Sequence, residues 1–131
     1  MKKIIKSDQE WKKQLSNDEF LVTRKKHTEK PFSGKKFDSK KKGLFKCICC
    51  DETLFESKTK YESNSGWPSF YDKYSNDCII EIQDNSYDMN RIEVLCKICD
   101  SHLGHVFDDG PQPTGKRYCI NSLSLKFKEI E

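Results

Sequence analysis

Cys47 and Cys50, in Cys47-Ile48-Cys49-Cys50, share a spacing with Cys96 and Cys99, in Cys96-Lys97-Ile98-Cys99. Two intervening residues let both sulfurs of one turn face one cation, and two such turns supply the four ligands of a tetrahedral zinc ion. The pairs are separated by 45 residues, longer than the ~15–20 of a compact zinc ribbon. The metal would therefore tie together distant parts of the chain. A redox pair uses the same spacing, but it normally occurs singly beside a βαβ pattern, which is absent. The expectation is one structural zinc ion in a closed site that does no chemistry itself.

Cys49, Cys78 and Cys119 remain. A free cysteine is most often a small buried hydrophobe, but Cys119 has unusual company. Arg117 and Asn121 flank it at alternate positions, and a neighbouring cation favours thiolate over thiol. Upstream lies Ser101-His102-Leu103-Gly104-His105-Val106-Phe107-Asp108-Asp109-Gly110-Pro111. Its two histidines could give and take protons near neutral pH. They could also bind zinc, although four cysteines already fill a tetrahedron. In Ser65-Gly66-Trp67-Pro68-Ser69-Phe70 a tryptophan sits in a turn, where it either packs into the core or walls a pocket for an apolar group.

The elements that must position these residues are mostly strands. Ser7-Asp8-Gln9-Glu10 and Ser16-Asn17-Asp18-Glu19 have the form of capping boxes and predict two short helices. Pro31 to Gly43 is loop material, with breakers and no period. Beyond Gly43 the period becomes two: 44–47, 53–55, 78–82 and 91–96 read as antiparallel strands. A last strand is expected from Arg117 to Phe127. Arg117, Cys119, Asn121, Leu123, Leu125 and Phe127 would share its core face, which would open into a cleft at its polar end. The expected fold is mainly β, two antiparallel sheets clipped by the four-cysteine zinc site, with short N-terminal helices. It would form a single domain over residues 1–131, with its core at about 7–129.

Hydrophobic and charged residues each make up 34% of the 131, so a modest core must be assembled from few apolar side chains. No apolar run approaches the ~20 residues of a membrane helix, and the lysine-rich start lacks the apolar stretch of a secretory signal. A cytoplasmic, monomeric protein is expected, and in a reducing compartment seven cysteines suggest ligands and a working thiol rather than disulfides. Residues 1–46 carry a net charge of +9 and residues 47–131 a net charge of −6. Without a recognisable reading motif, this asymmetry is taken as a solvated surface, with neither a nucleic-acid nor a membrane partner.

Together these clusters resemble the type B methionine sulfoxide reductases. The resemblance rests on Lys30-Pro31-Phe32-Ser33-Gly34 (usually Arg at its first position), Gly66-Trp67-Pro68-Ser69-Phe70 and His102-Leu103-Gly104-His105-Val106-Phe107. It continues through Asp109-Gly110-Pro111, Pro113-Thr114-Gly115 and Arg117-Tyr118-Cys119-Ile120-Asn121-Ser122, and covers nearly the whole chain from about Ser7. It implies that the Cys119 thiolate attacks the sulfoxide sulfur, releasing methionine and leaving a sulfenic acid. Trp67, with Phe107, would bind the substrate, the indole packing on the ε-methyl group. His102, His105 and Asn121 would organise the sulfoxide oxygen, supported by Arg117 and Asp109. The implied partners are proteins carrying methionine-R-sulfoxide and a thiol reductant such as thioredoxin.

One position departs from that pattern. Many relatives carry a resolving cysteine immediately before Gly-Trp-Pro, where this chain has Ser65. Three routes stay open: resolution by Cys78, resolution by Cys49, or direct reduction of the Cys119 sulfenic acid. A rival reading of the whole chain is a non-catalytic zinc module that binds a partner through its basic arm. The Arg117-Cys119-Asn121 face with two nearby histidines argues against it, because a binding module has no need of a thiol there.

Overall fold

A computed structural model describes residues 3–35, 37 and 40–130. Both helices begin at the predicted caps. Ser7 caps α1 (Asp8–Gln14) and Ser16 caps α2 (Asn17–Lys25), and each serine exchanges hydrogen bonds with the glutamate three residues on. Trp11, Leu15, Phe20 and Val22 are buried. Helices of this length are marginal alone, so burial of this apolar stripe is what holds them. Of the expected 31–43 loop, residues 36, 38 and 39 lie outside the described residues, and Gly43 already belongs to a strand.

The strands are β1 (Gly43–Cys47), β2 (Thr53–Glu56), β3 (Lys60–Tyr61), β4 (Ser69–Phe70), β5 (Ile79–Asp84), β6 (Arg91–Cys96), β7 (His102–Phe107), β8 (Arg117–Ile120) and β9 (Leu125–Glu129). They form two antiparallel sheets, a three-stranded one ordered β2-β1-β9 and a six-stranded one ordered β3-β4-β8-β7-β6-β5. An aromatic core joins them. Phe55 of β2 stacks on Phe70 of β4 with ring centroids 4.4 Å apart, and Phe45 of β1 meets the same ring edge-on at 5.0 Å. Leu54, Phe55, Phe70 and Ile120 are fully buried there.

The expected long final strand is two. Ser122–Ser124 form a 3-10 turn that takes the chain from β8 in the larger sheet to β9 in the smaller one. Its serines are buried because their hydroxyls reach distant partners, Ser122 donating to the Glu29 carboxylate and Ser124 to the His102 carbonyl. Small polar residues at alternate positions thus preserve a period of two through a break in the strand. The core side is also reversed in β8. Tyr118 and Ile120 face the core, and Arg117 and Cys119 face away from it.

The two cysteine turns are built alike. In each, the backbone N–H of the aspartate after the second cysteine (Asp51, Asp100) donates to the carbonyl of the first cysteine at 2.9 Å. Both aspartates adopt positive φ, at 71° and 61°, closing the turn so that its two sulfurs converge. The first turn ends β1 and the second ends β6, so the four sulfurs meet where the two sheets come together. The helices cover this corner: Gln14 donates to the Cys49 carbonyl and Arg24 to the Cys99 carbonyl.

Candidate active site

Cross-strand pairing assembles the site. Tyr61 pairs with Ser69, Ser69 with Cys119, Cys119 with His105, and His105 with Glu93. Directly paired residues share a face of the sheet, so these five side chains form one rung on the side away from the aromatic core. The next rung pairs Arg117 with Phe107. Gly104 permits the close approach of β7 to β8, since a Cβ there would lie 2.1 Å from the Cys119 carbonyl oxygen.

His102 and His105, three residues apart, would point to opposite faces of a regular strand. The β6–β7 register shifts between Val94 and Leu95, whose partners are Gly104 and His102, leaving Leu103 as the extra residue. This bulge turns both imidazoles to the same face, with ring centroids 5.7 Å apart. Nδ1 of His102 lies 2.7 Å from Glu93 Oε2, and Nε2 of His105 lies 2.8 Å from Asp84 Oδ2. Burial lowers the His102 pKa and Glu93 opposes that effect, whereas the His105 contact holds the Asp84 carboxyl well below the usual carboxylate range. Neither Glu93 nor Asp84 was singled out from sequence, because each acts through a partner on another strand.

Cys119 opens onto a cavity of about 220 Å³ whose walls include Trp67, His105, Phe107, Arg117 and Asn121. That is below the ~300–1,000 Å³ of sites for drug-sized molecules, so it suits one side chain rather than a large cofactor. Arg117 makes a two-point ion pair with Asp109, at 2.9 and 3.2 Å, and lies 4.4 Å over the Phe107 ring. Ser65 Oγ is 3.9 Å from the Cys119 sulfur. Burial raises the Cys119 pKa above the ordinary thiol value, while Ser65 and Arg117 pull it back. The balance of these effects favours the thiol over the thiolate.

His102 takes a different place from the one expected, and Asn121 is engaged where it stands. His102 lines the adjoining groove of about 650 Å³ rather than this cavity. Asn121 lines the cavity, but its Oδ1 accepts from the Glu29 backbone N–H and its Nδ2 donates to the Leu103 carbonyl. Glu29 in turn accepts the Trp67 indole N–H on its carbonyl at 2.9 Å. Trp67 is thus a pocket wall pinned through Glu29, a residue the sequence reading missed. Cys78 and Cys49 are not brought to the cavity. The Cys78 thiol donates to the Ser75 and Leu54 carbonyls, and Cys49 is buried within the first cysteine turn.

The sulfurs of Cys47, Cys50, Cys96 and Cys99 all lie within 4.8 Å of one another, with Cys47–Cys99 at 3.6 Å and Cys50–Cys96 at 3.5 Å. Disulfides would bring sulfurs to ~2.05 Å. A tetrahedron with Zn–S bonds of ~2.3 Å has edges of roughly 3.8 Å, and the observed set fits such an ion.

The fold and site define a two-sheet β protein with a four-cysteine cluster and a separate, pocketed thiol. A crystal structure of the Mis18 'Yippee-like' domain shares the fold alone: TM-score 0.55, 16% identity, covering 69% of this chain and 98% of that one. Residues 15–129 match the SelR domain, and the chain belongs to that family. It is 57% identical to the peptide methionine sulfoxide reductase MsrB of Methanosarcina barkeri, over 99% of this chain and 92% of that protein. The MsrB of Hahella chejuensis is 55% identical over 100% of this chain and 94% of its own length.

Proposed function

We propose that this chain reduces protein-bound methionine-R-sulfoxide to methionine, repairing oxidised proteins. The observation that carries the reading is that Cys119, Trp67 and His105 line one cavity sized for a single side chain. A sulfoxide sulfur bears methyl, methylene, oxygen and a lone pair. With the methyl on the indole and the oxygen toward the imidazole side, only one epimer presents its sulfur to Cys119.

The Cys119 proton passes to an imidazole and from there to the sulfoxide oxygen, while the sulfur attacks the sulfoxide sulfur. Proton delivery is required because negative charge builds on that oxygen. The attack forms an S–S bond. The S–O bond then breaks, the oxygen leaving as water with a second proton. A water adding to the Cys119 sulfur breaks the S–S bond and returns that proton, giving methionine and Cys119 sulfenic acid; Cys119 loses two electrons and the sulfoxide sulfur gains them. Ser65 cannot form a disulfide, and neither Cys49 nor Cys78 lines the cavity, so a reductant thiol attacks the sulfenic sulfur directly and releases water. A second thiol, on thioredoxin or a similar donor, then frees Cys119 as the mixed disulfide is exchanged. Cys47, Cys50, Cys96 and Cys99 would hold one zinc ion, which supplies structure and no chemistry. Such a thiol set would be used in a reducing compartment, and a cytoplasmic location fits.

The test is turnover of the two dabsyl-methionine sulfoxide epimers with a dithiol, followed by mass spectrometry after one turnover without reductant. The wild type should consume the R epimer, and Cys119→Ser should not. The oxidised wild type should trap a sulfenic-acid probe at Cys119. Absence of thiol-dependent turnover would sink the enzyme reading, and an internal disulfide to Cys119 would sink the direct route.

A further inference from the structure

Each imidazole on the Cys119 face is held by a carboxylate, and the two are held by opposite nitrogens. Glu93 takes Nδ1 of His102 at 2.7 Å, and Asp84 takes Nε2 of His105 at 2.8 Å. An ionised carboxylate has no proton to donate, so the nitrogen facing it must carry the hydrogen. Both carboxylates have cations beside them. Lys26 Nζ is 3.2 Å from Glu93 Oε1, and Arg91 Nη2 is 3.4 Å from Asp84 Oδ2, where the Ser86 backbone N–H also donates to Oδ1 at 3.0 Å. Glu93 is 5% exposed. A buried carboxylate is costly to keep unless it is paired and used, and its second partner besides Lys26 is His102.

The remaining nitrogen of His102 is also informative. Nε2 is buried and has no hydrogen-bond partner among the described residues. A buried ring nitrogen without a partner, beside a groove that adjoins the thiol cavity, calls for a reason. We infer that Glu93 and Asp84 are positioning residues that lock the two neutral imidazoles in opposite tautomers, leaving Nε2 of His102 and Nδ1 of His105 as the bare acceptors. The hydrogen bond at one ring nitrogen decides which proton the other can take. Whichever ring takes the thiol proton, and later donates it to the sulfoxide oxygen, does so only through the nitrogen its carboxylate leaves free. Leu103, the extra residue of the bulge, is what allows this arrangement, because it brings a diagonal neighbour of Glu93 within reach.

For its kinetic consequence the inference rests on the proposed reaction; the tautomers themselves do not. Nitrogen-15 histidine labelling reads them directly in long-range proton–nitrogen spectra near pH ~8, where unperturbed imidazoles are neutral. The chain has three histidines, so His27→Gln, His102→Gln and His105→Gln assign every signal. The wild type should show His102 protonated on Nδ1 and His105 on Nε2. In Glu93→Gln the His102 pattern should shift toward Nε2 protonation while His105 stays as it was. The kcat for an R-sulfoxide peptide should fall about 10- to 100-fold with KM little changed, and Glu93→Asp should recover part of the loss. Both rings in the same wild-type tautomer, or Glu93→Gln with unchanged kcat and spectra, would overturn the inference. The wild-type spectrum decides alone if the Gln variant does not fold. A wild type without turnover would instead count against the reductase reading and leave the spectra as the judge of the tautomers.

Discussion

The ionisation of Cys119 is set by its burial and by neighbours that act against that burial. Desolvation favours the neutral thiol, and the Arg117 guanidinium and Ser65 hydroxyl favour the thiolate. Because the balance lies on the thiol side, alkylation by iodoacetamide should be slow at neutral pH and speed up as pH rises through an elevated midpoint. Arg117→Ala removes the cation and also leaves Asp109 without its two-point partner, and both changes disfavour the thiolate. Its midpoint should therefore move up, and alkylation at pH ~8 should be severalfold slower, with Arg117→Lys intermediate. Rates of carbamidomethylation at Cys119, followed by mass spectrometry across pH, check this. A midpoint unmoved by Arg117→Ala would show that the cation serves only to stack on Phe107 and anchor Asp109.

The segment from Thr28 to Lys35 has no regular structure, yet its Glu29 ties the Trp67 indole to Asn121. Glu29, 7% exposed, accepts from the Ser122 hydroxyl and the Leu123 N–H on its carboxylate. Its backbone ties to Asn121 on one side and Trp67 on the other. Glu29→Ala leaves a buried hydroxyl and a backbone N–H without their acceptor, which should cost about 1–3 kcal/mol of stability. It should also raise KM and erode the preference for the R epimer as Trp67 loses its fixed seat. Urea melts with unchanged slope, together with kinetics on both epimers, separate the two effects. A loss of stability with KM and preference intact would reduce Glu29 to a core staple. This clamp also marks where sequence stops being legible. The capping boxes at Ser7 and Ser16 and the alternation in β1, β2, β5 and β6 are local patterns and could be read. Glu29 finds its carboxylate partners 93 and 94 residues away, so no local pattern points to it. The bulge at Leu103 hides β7 by breaking its alternation, and the buried Ser122 and Ser124 hide the break between β8 and β9 by preserving theirs. The site residues were legible as types and spacing; which of them face the cavity was settled by register.

At the scale of the molecule, two sheets share a small aromatic core and a corner of four sulfurs. The cysteine turns end β1 and β6, strands of different sheets, so an ion held there links halves that otherwise meet through Phe45, Phe55, Phe70 and their neighbours. A cross-link closing a loop of about 45 residues removes about 4 kcal/mol of unfolded-chain entropy, a large share of the ~5–15 kcal/mol that stabilises a typical domain. Cys96→Ser should therefore lose zinc and lower the melting temperature by roughly 10–20 °C. Stripping the wild type with a strong chelator should do the same. Cys119 faces a different cavity, so the zinc-free protein should retain its ability to reduce sulfoxide at low temperature in proportion to the fraction still folded. Metal content by a colorimetric chelator, melting by calorimetry and R-epimer turnover measured on one sample make the comparison. Activity lost ahead of folding would give the ion a part in the chemistry. Unchanged metal content and melting in Cys96→Ser would remove it from the structure altogether.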